Sequence, residues 1–169
     1  ETSLGGAIYS AASATITNGT FFANTAQGDG GAIYSTKELT ISGGTFVGNT
    51  ARERGGAIAN FDESAFLSVS GGFFESNQAS SGGAIYSTAP ATITSGTFCA
   101  NTARGRGGAI YSTKELTISD GVFEDNQASS GGAIYQDGGK LIITGSTFSA
   151  NRSFGTEVSV SGGGALGVS

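Results

Sequence analysis

Residues 30–54 read GGAIYSTKELTISGGTFVGNTARER, and this 25-residue unit decides the fold. Its opening motif, Gly-Gly-Ala-Ile, recurs along the whole chain at intervals of 25, 25, 27, 25 and 24 residues, and a variant copy follows after 32 more. The copies begin at Gly5, Gly30, Gly55, Gly82, Gly107 and Gly131, and the variant begins at Gly163. A repeat of this length is typical of a solenoid, in which each unit buries its apolar face against the next.

A second motif, Phe-x-x-Asn, falls once inside every unit. Its asparagines are Asn24, Asn49, Asn77, Asn101, Asn126 and Asn151, and its aromatic residues are Phe21, Phe46, Phe74, Phe98, Phe123 and Phe148. Since stacked coils place equivalent residues above one another, we expect the aromatic rings to form one inward column. We expect the asparagines to form a structural ladder of amide hydrogen bonds, because unpaired buried amides are costly.

A third motif alternates apolar and hydroxylated residues, as in Leu39-Thr40-Ile41-Ser42, and this period of two is typical of a strand with one buried face. Each unit therefore offers three short strands, Gly-Ala-Ile-Tyr, Leu-Thr-Ile-Ser and Gly-Thr-Phe. These predict an all-β, right-handed parallel β-helix of about six coils, in one domain spanning residues 1–169. The coils start near residues 5, 30, 55, 82, 107 and 131, and a partial coil starts at 163.

Two columns are predicted to face outward. The first is aromatic, because each tyrosine follows an inward isoleucine; it contains Tyr9, Tyr34, Tyr86, Tyr111 and Tyr135, with Ala59 as an interruption. This column either binds a partner or only stabilises the rod by stacking. The second is a flat hydroxyl face, which contains Thr15, Thr17, Thr40, Ser42, Ser68, Ser70, Thr92, Thr94, Thr117, Ser119 and Thr144, extended by Thr20, Thr45, Thr97 and Thr147.

The composition argues against several functions. The net charge is −5 and only eight residues are Lys or Arg, which disfavours nucleic-acid binding. No apolar run is long enough for a transmembrane helix, and the single cysteine, Cys99, allows no internal disulfide. The chain has no histidine and its acids are scattered, so we predict no enzyme, cofactor or metal site. A polysaccharide-active enzyme using Glu75 and Glu124, which flank Cys99 in one column, is a remote alternative.

The paired Gly-Gly-Ala-Ile and Phe-x-x-Asn motifs resemble the repeats of the chlamydial polymorphic membrane proteins and related surface proteins. This resemblance implies a β-helical autotransporter passenger that is secreted or held at the cell surface and acts as an adhesin. We therefore expect a non-catalytic adhesive or scaffolding protein whose partner is a protein or a glycan. The alternative is an ice-binding protein, since the hydroxyl face resembles those of hyperactive antifreeze proteins.

The ends of the rod carry a further expectation. A β-helix has open strand edges at its first and last coils, and Gly5 opens the first coil without a preceding capping segment. We expect the rod either to associate end to end or to belong to a longer one. Residues 154–161 are an insertion that we expect to cover the other end or to bulge sideways.

Overall fold

The computed structural model describes residues 3–155 and 166–168, and within them the regular structure is a parallel β-solenoid of about six coils with about 25 residues per turn. Four parallel sheets, here called A to D in chain order, run along the rod. Each coil thus contributes four short strands, whereas the sequence predicted three. The additional strand follows each motif asparagine and in four of the six coils is only two residues long, too short to show a period.

Sheets A and B carry the first and third sequence motifs. The strands of sheet A are Ile8–Ser10, Ile33–Ser35, Ile58–Asn60, Ile85–Ser87, Ile110–Ser112, Ile134–Gln136 and Leu166–Val168. The strands of sheet B are Ala14–Thr17, Leu39–Ser42, Leu67–Ser70, Ala91–Thr94, Leu116–Ser119 and Leu141–Thr144. The last strand of sheet A pairs with Ile134–Gln136, while most of the insertion expected near that end lies outside the described residues.

Sheets C and D flank the asparagines. The strands of sheet C are Thr20–Phe22, Thr45–Val47, Phe73–Glu75, Thr97–Cys99, Val122–Glu124 and Thr147–Ser149. The strands of sheet D are Thr25–Ala26, Thr50–Ala51, Gln78–Ser81, Thr102–Arg106, Gln127–Ala128 and Arg152–Ser153. A register shift between Ala79 and Ser81 accommodates the unequal lengths of the third and fourth coils on this side.

The core is built from columns of identical residues. Isoleucines of sheet A, alternate residues of sheet B and the phenylalanines of sheet C point inward and form one continuous cluster. The phenylalanine rings stack with centroids 4.7–4.9 Å apart and planes within 7° of parallel. Isolated aromatic pairs prefer offset or edge-to-face geometry. The nearly parallel stacking follows from the coil spacing, which is the strand spacing of a sheet, about 4.8 Å.

The asparagines form a ladder in which side-chain and backbone groups are paired. The side-chain amide of Asn77 donates to Oδ1 of Asn101 and to the carbonyl of Phe46, each at 2.9 Å. The same Oδ1 of Asn101 accepts the backbone N–H of Asn77 at 3.0 Å. Nδ2–Oδ1 distances of 2.9–3.0 Å join all six asparagines. The carbonyl bond explains the spacing of Phe-x-x-Asn, because in the first five coils the phenylalanine carbonyl accepts the asparagine amide of the following coil.

The two glycines of each Gly-Gly-Ala-Ile motif are needed for different reasons. Gly82 has a φ of +63°, a backbone conformation that residues with a Cβ rarely adopt. Gly83 lies against backbone on two sides, since a Cβ there would be 2.0 Å from the carbonyl oxygen of Gly108 and 2.8 Å from the backbone of Thr102. This close approach closes the coil, because the end of sheet D packs directly on the start of sheet A.

We expect Asn101→Ala to lower the free energy of unfolding by about 1–3 kcal/mol, because it removes the acceptor of the buried Asn77 N–H and one hydrogen bond each from the Asn77 side-chain amide and the carbonyl of Phe74. Urea unfolding followed by circular dichroism measures the change. Asn24→Ala is the matched control in the first coil, where the side chain is only half-buried, and it should cost clearly less. Equal midpoints for Asn101→Ala and the parent chain would show that the ladder contributes nothing.

We expect Gly83→Ala to destabilise the rod by about 3 kcal/mol or more, since its methyl group would overlap backbone atoms that cannot move aside. Gly48→Ala is the control, because Gly48 has a φ of +64° but open space where a methyl group would lie. Alanine already occupies the equivalent position in three other coils, so this change should cost only about 1 kcal/mol. A similar loss in both variants would contradict the packing argument.

Candidate functional site

The hydroxyl face predicted from the sequence lies on sheet B as two aligned columns. One column runs in register through Thr15, Thr40, Ser68, Thr92 and Thr117 and ends at Ile142. The second column has a hydroxyl residue in all six coils: Thr17, Ser42, Ser70, Thr94, Ser119 and Thr144. The side chains are half-buried or exposed, and the Ser119 hydroxyl donates to Thr94 Oγ1 at 3.3 Å. Sheet B therefore presents an uncharged surface of aligned side chains to solvent.

The extension of this face onto sheet C is interrupted. Thr20, Thr45, Thr97 and Thr147 share one column with Phe73 and Val122, which are each 37% exposed. The neighbouring outward column begins with Phe22, which is 72% exposed, and continues through Val47. Sheet C thus mixes hydroxyl and apolar groups, and only sheet B keeps the regular hydroxyl pattern.

The tyrosines form a stacked column, but it is largely covered. Tyr9 is 57% exposed, whereas Tyr86, Tyr111 and Tyr135 are 8–9% exposed. Phe61 fills the gap that Ala59 leaves, since its ring stacks between Tyr34 and Tyr86 at 5.4 and 5.2 Å. The expected exposed aromatic ladder is therefore present only at its amino-terminal end. In the central coils the rings act in cross-coil packing.

Two arginines cover the central tyrosines. The guanidinium of Arg54 lies 4.6 Å from the ring centre of Phe61 and 5.4 Å from that of Tyr86. Arg106 lies 4.9 Å from the ring centre of Tyr135. These contacts are cation–π interactions, which strengthen as water is excluded. Burial raises the pKa of Tyr111, and its 2.5 Å hydrogen bond to Asp137 raises the pKa further, so this phenol is a hydrogen-bond donor at neutral pH.

The acidic column proposed as a remote catalytic alternative exists as a column on sheet C. Glu75, Cys99 and Glu124 pair in register with Cys99 in the centre, which places the two acids two coils, or about 10 Å, apart. Burial raises the pKa of the Cys99 thiol, and the charges of Glu124 and Glu75 raise it further. The thiol is therefore a poor nucleophile at neutral pH. Within residues 3–155 and 166–168 there is no group of three potential metal-binding side chains.

Sheet D is a feature that sequence reasoning missed. All five arginines of the chain lie on this sheet or on the turn that leaves it: Arg52, Arg54, Arg104, Arg106 and Arg152. Arg54 pairs with Asp29 at 2.9 Å and lies 3.7 Å from Glu53, and Arg106 lies 3.8 Å from Asp137. The signal in the sequence was that every arginine follows a motif asparagine closely: Arg52 and Arg104 by three residues, Arg54 and Arg106 by five, and Arg152 by one. Counting charged residues did not reveal this arrangement, because arginines and acidic residues are mixed along the sequence.

The comparisons with known proteins agree with the motifs. The family model described as the Chlamydia polymorphic membrane protein repeat matches residues 18–36, 71–88, 95–113 and 120–137. Each matched segment contains one Phe-x-x-Asn motif followed by one Gly-Gly-Ala-Ile motif. No match was found among curated proteins or among solved structures. In the described part of the chain, no helix has the length and apolar character to cross a membrane.

Proposed function

We propose that this chain, which carries four matches to the Chlamydia polymorphic membrane protein repeat, is a non-catalytic adhesive module of a secreted or cell-surface protein. The observation that carries the proposal is the use of both family motifs inside the rod. The asparagine side chains and the second glycines take part in the contacts between coils, as Asn101 and Gly83 illustrate. Only the outward-facing residues remain for recognition of a partner, and their chemistry differs from sheet to sheet.

A parallel solenoid suits this role because it extends by adding coils without a new core. Residues 107–119 repeat residues 30–42 without a change, which supports growth of the rod by duplication. In this proposal the chain is the passenger part of an autotransporter and acts as an adhesin or as a scaffold that holds adhesive surfaces away from the cell. The proposed winding is right-handed, the sense that parallel strand connections strongly prefer.

The adhesion proposal predicts that beads coated with the purified chain attach to cultured epithelial cells more than albumin-coated beads do. Soluble chain in excess should reduce attachment, because it occupies the same receptors. Beads coated with thermally unfolded chain are the control for non-specific sticking. Attachment equal to that of the albumin beads, with the coat shown to be folded by circular dichroism, would exclude adhesion to that cell type.

Ice binding is a second candidate, and one observation favours it. The hydroxyl columns of sheet B are aligned in register over successive coils, which produces a regular array at the strand spacing. Regular spacing of hydroxyl and methyl groups is what an ice-ordering surface requires. Ile142 in one column and the mixed face of sheet C restrict such a surface to sheet B.

If sheet B binds ice, the purified chain should show thermal hysteresis, and Thr92→Tyr should remove it because the larger side chain lifts the face from the lattice. Thr92 points outward and is half-buried, so the unfolding midpoint should change little. Thr102→Tyr on sheet D is the control and should keep the hysteresis. A parent chain without ice shaping at millimolar concentration would end this second candidate.

A further inference from the structure

Three arginines on sheet D have no acidic partner within residues 3–155 and 166–168. Arg52, Arg104 and Arg152 are exposed, and none of them makes an ion pair with a described residue. They differ in this respect from Arg54 and Arg106, which contact acids and aromatic rings. Among the described residues, these three side chains are therefore exposed positive charges that no acid neutralises.

The three arginines are spread along the rod on alternate coils. Arg52 lies in the second coil, Arg104 in the fourth and Arg152 in the sixth, so successive guanidinium groups are attached two coils apart. Arg52 and Arg104 occupy equivalent positions on their strands, whereas Arg152 pairs with Gln127 and lies two residues earlier, about 7 Å along the strand direction. With a coil spacing of about 4.8 Å, the three arginines extend over about 19 Å along the rod. A band of charges that follows the rod axis over several coils fits a linear partner that lies across the strands.

The surface between the arginines is polar and shallow. Thr50, Gln78, Thr102 and Gln127 form the outward column of sheet D. A groove on this sheet is lined by Thr50, Gln78, Thr102 and Arg104, with Ala51 and Ala79 at its base. Hydroxyl and amide groups alternate hydrogen-bond donors with acceptors, which matches the hydroxyls of a sugar chain.

The acids lie elsewhere. Glu75 and Glu124 are on sheet C, and Asp120 and Asp125 are at its two turns. The acids in contact with arginines of sheet D are Asp29 and Glu53, which lie beside Arg54, and Asp137, which lies beside Arg106. The rod is thus polarised across its section, although its net charge is −5. The net negative charge of the chain repels an anionic partner. Binding must therefore gain free energy when the arginines displace the counter-ions condensed on that partner, and this gain grows with the linear charge density of the partner.

We propose that sheet D binds a linear sulfated polysaccharide of the surface to which the protein adheres, with Arg52, Arg104 and Arg152 each contacting a sulfate group. A guanidinium presents a planar fork of donors that suits sulfate and carboxylate oxygens. The high charge density of a sulfated chain favours it over a polyuronate. Single-stranded nucleic acid is disfavoured because the strands of sheet D display no aromatic side chain on which bases would stack.

This inference deepens the proposed adhesion by naming a ligand class, and a direct binding measurement tests it separately from adhesion. Heparin, polygalacturonate and single-stranded DNA are immobilised, and binding of the purified chain is followed by surface plasmon resonance at physiological ionic strength. We expect binding to heparin, with weaker binding to the other two polymers. The triple variant Arg52→Gln, Arg104→Gln, Arg152→Gln should weaken heparin binding by at least about tenfold.

The matched control is the triple variant Lys37→Gln, Lys114→Gln, Lys140→Gln. It removes the same charge, and all three lysines lie in the corner between sheets A and B. Its affinity for heparin should stay within about twofold of the parent, since long-range charge is screened over about 8 Å. Equal losses in the two triple variants would overturn the proposal, as would a parent chain that does not bind heparin. Equal or tighter binding to DNA or polygalacturonate would overturn the assigned ligand class.

A second copy of the chain is the competing occupant, because the acids of sheet C repeat at the same two-coil interval. Sedimentation velocity on the parent and the arginine variant distinguishes it: self-association that the arginine variant abolishes would overturn the polysaccharide proposal. The bead-attachment assay distinguishes the proposed adhesive function from the proposed polysaccharide ligand. Attachment that persists without heparin binding retains the adhesive function and rejects the ligand, whereas heparin binding without attachment rejects the adhesive function alone.

Discussion

The pairing of buried asparagine amides between successive coils is the constraint on which the rest of the rod depends. Each amide both donates and accepts across the coil interface, and Asn77 also reaches the carbonyl of Phe46. A shift of one coil by a single residue would break all of these bonds in the core at once. The ladder therefore fixes the register of sheets C and D, which lie on either side of it, and the stacked phenylalanines follow.

The glycine pairs provide a second constraint, which acts within the coil. The first glycine supplies a backbone turn that other residues resist, and the second allows sheet D to lie against the start of sheet A with backbone alone between them. Because that side of the coil has no room for large side chains, sheet D turns only small inward residues, such as Ala103 and Ala128, toward the interior. The side chains of sheet D that differ in chemistry from coil to coil all face outward.

The sequence predicted the coils and the inward columns because those features repeat at every copy and obey simple periods. It failed for features that rest on one residue or on a short strand. Sheet D has strands as short as two residues, which carry no pattern. The burial of the tyrosines depends on Phe61, which lies outside all three motifs, and on Arg54 and Arg106. The three exposed arginines lie far apart in the sequence, and only the fold brings Arg52, Arg104 and Arg152 onto one sheet.

The third coil shows how the rod tolerates extra length. Its connection between sheets A and B spans residues 61–66, whereas the connection before it spans residues 36–38, yet Leu67 still pairs with Leu39. The additional residues leave the ladder untouched because they project from a corner that none of the motifs occupies. That corner should therefore tolerate an insertion. An epitope inserted between Asp62 and Ala65 would be displayed at a defined position along the rod axis, so its accessibility would report how far the third coil lies from the surface to which the rod is attached.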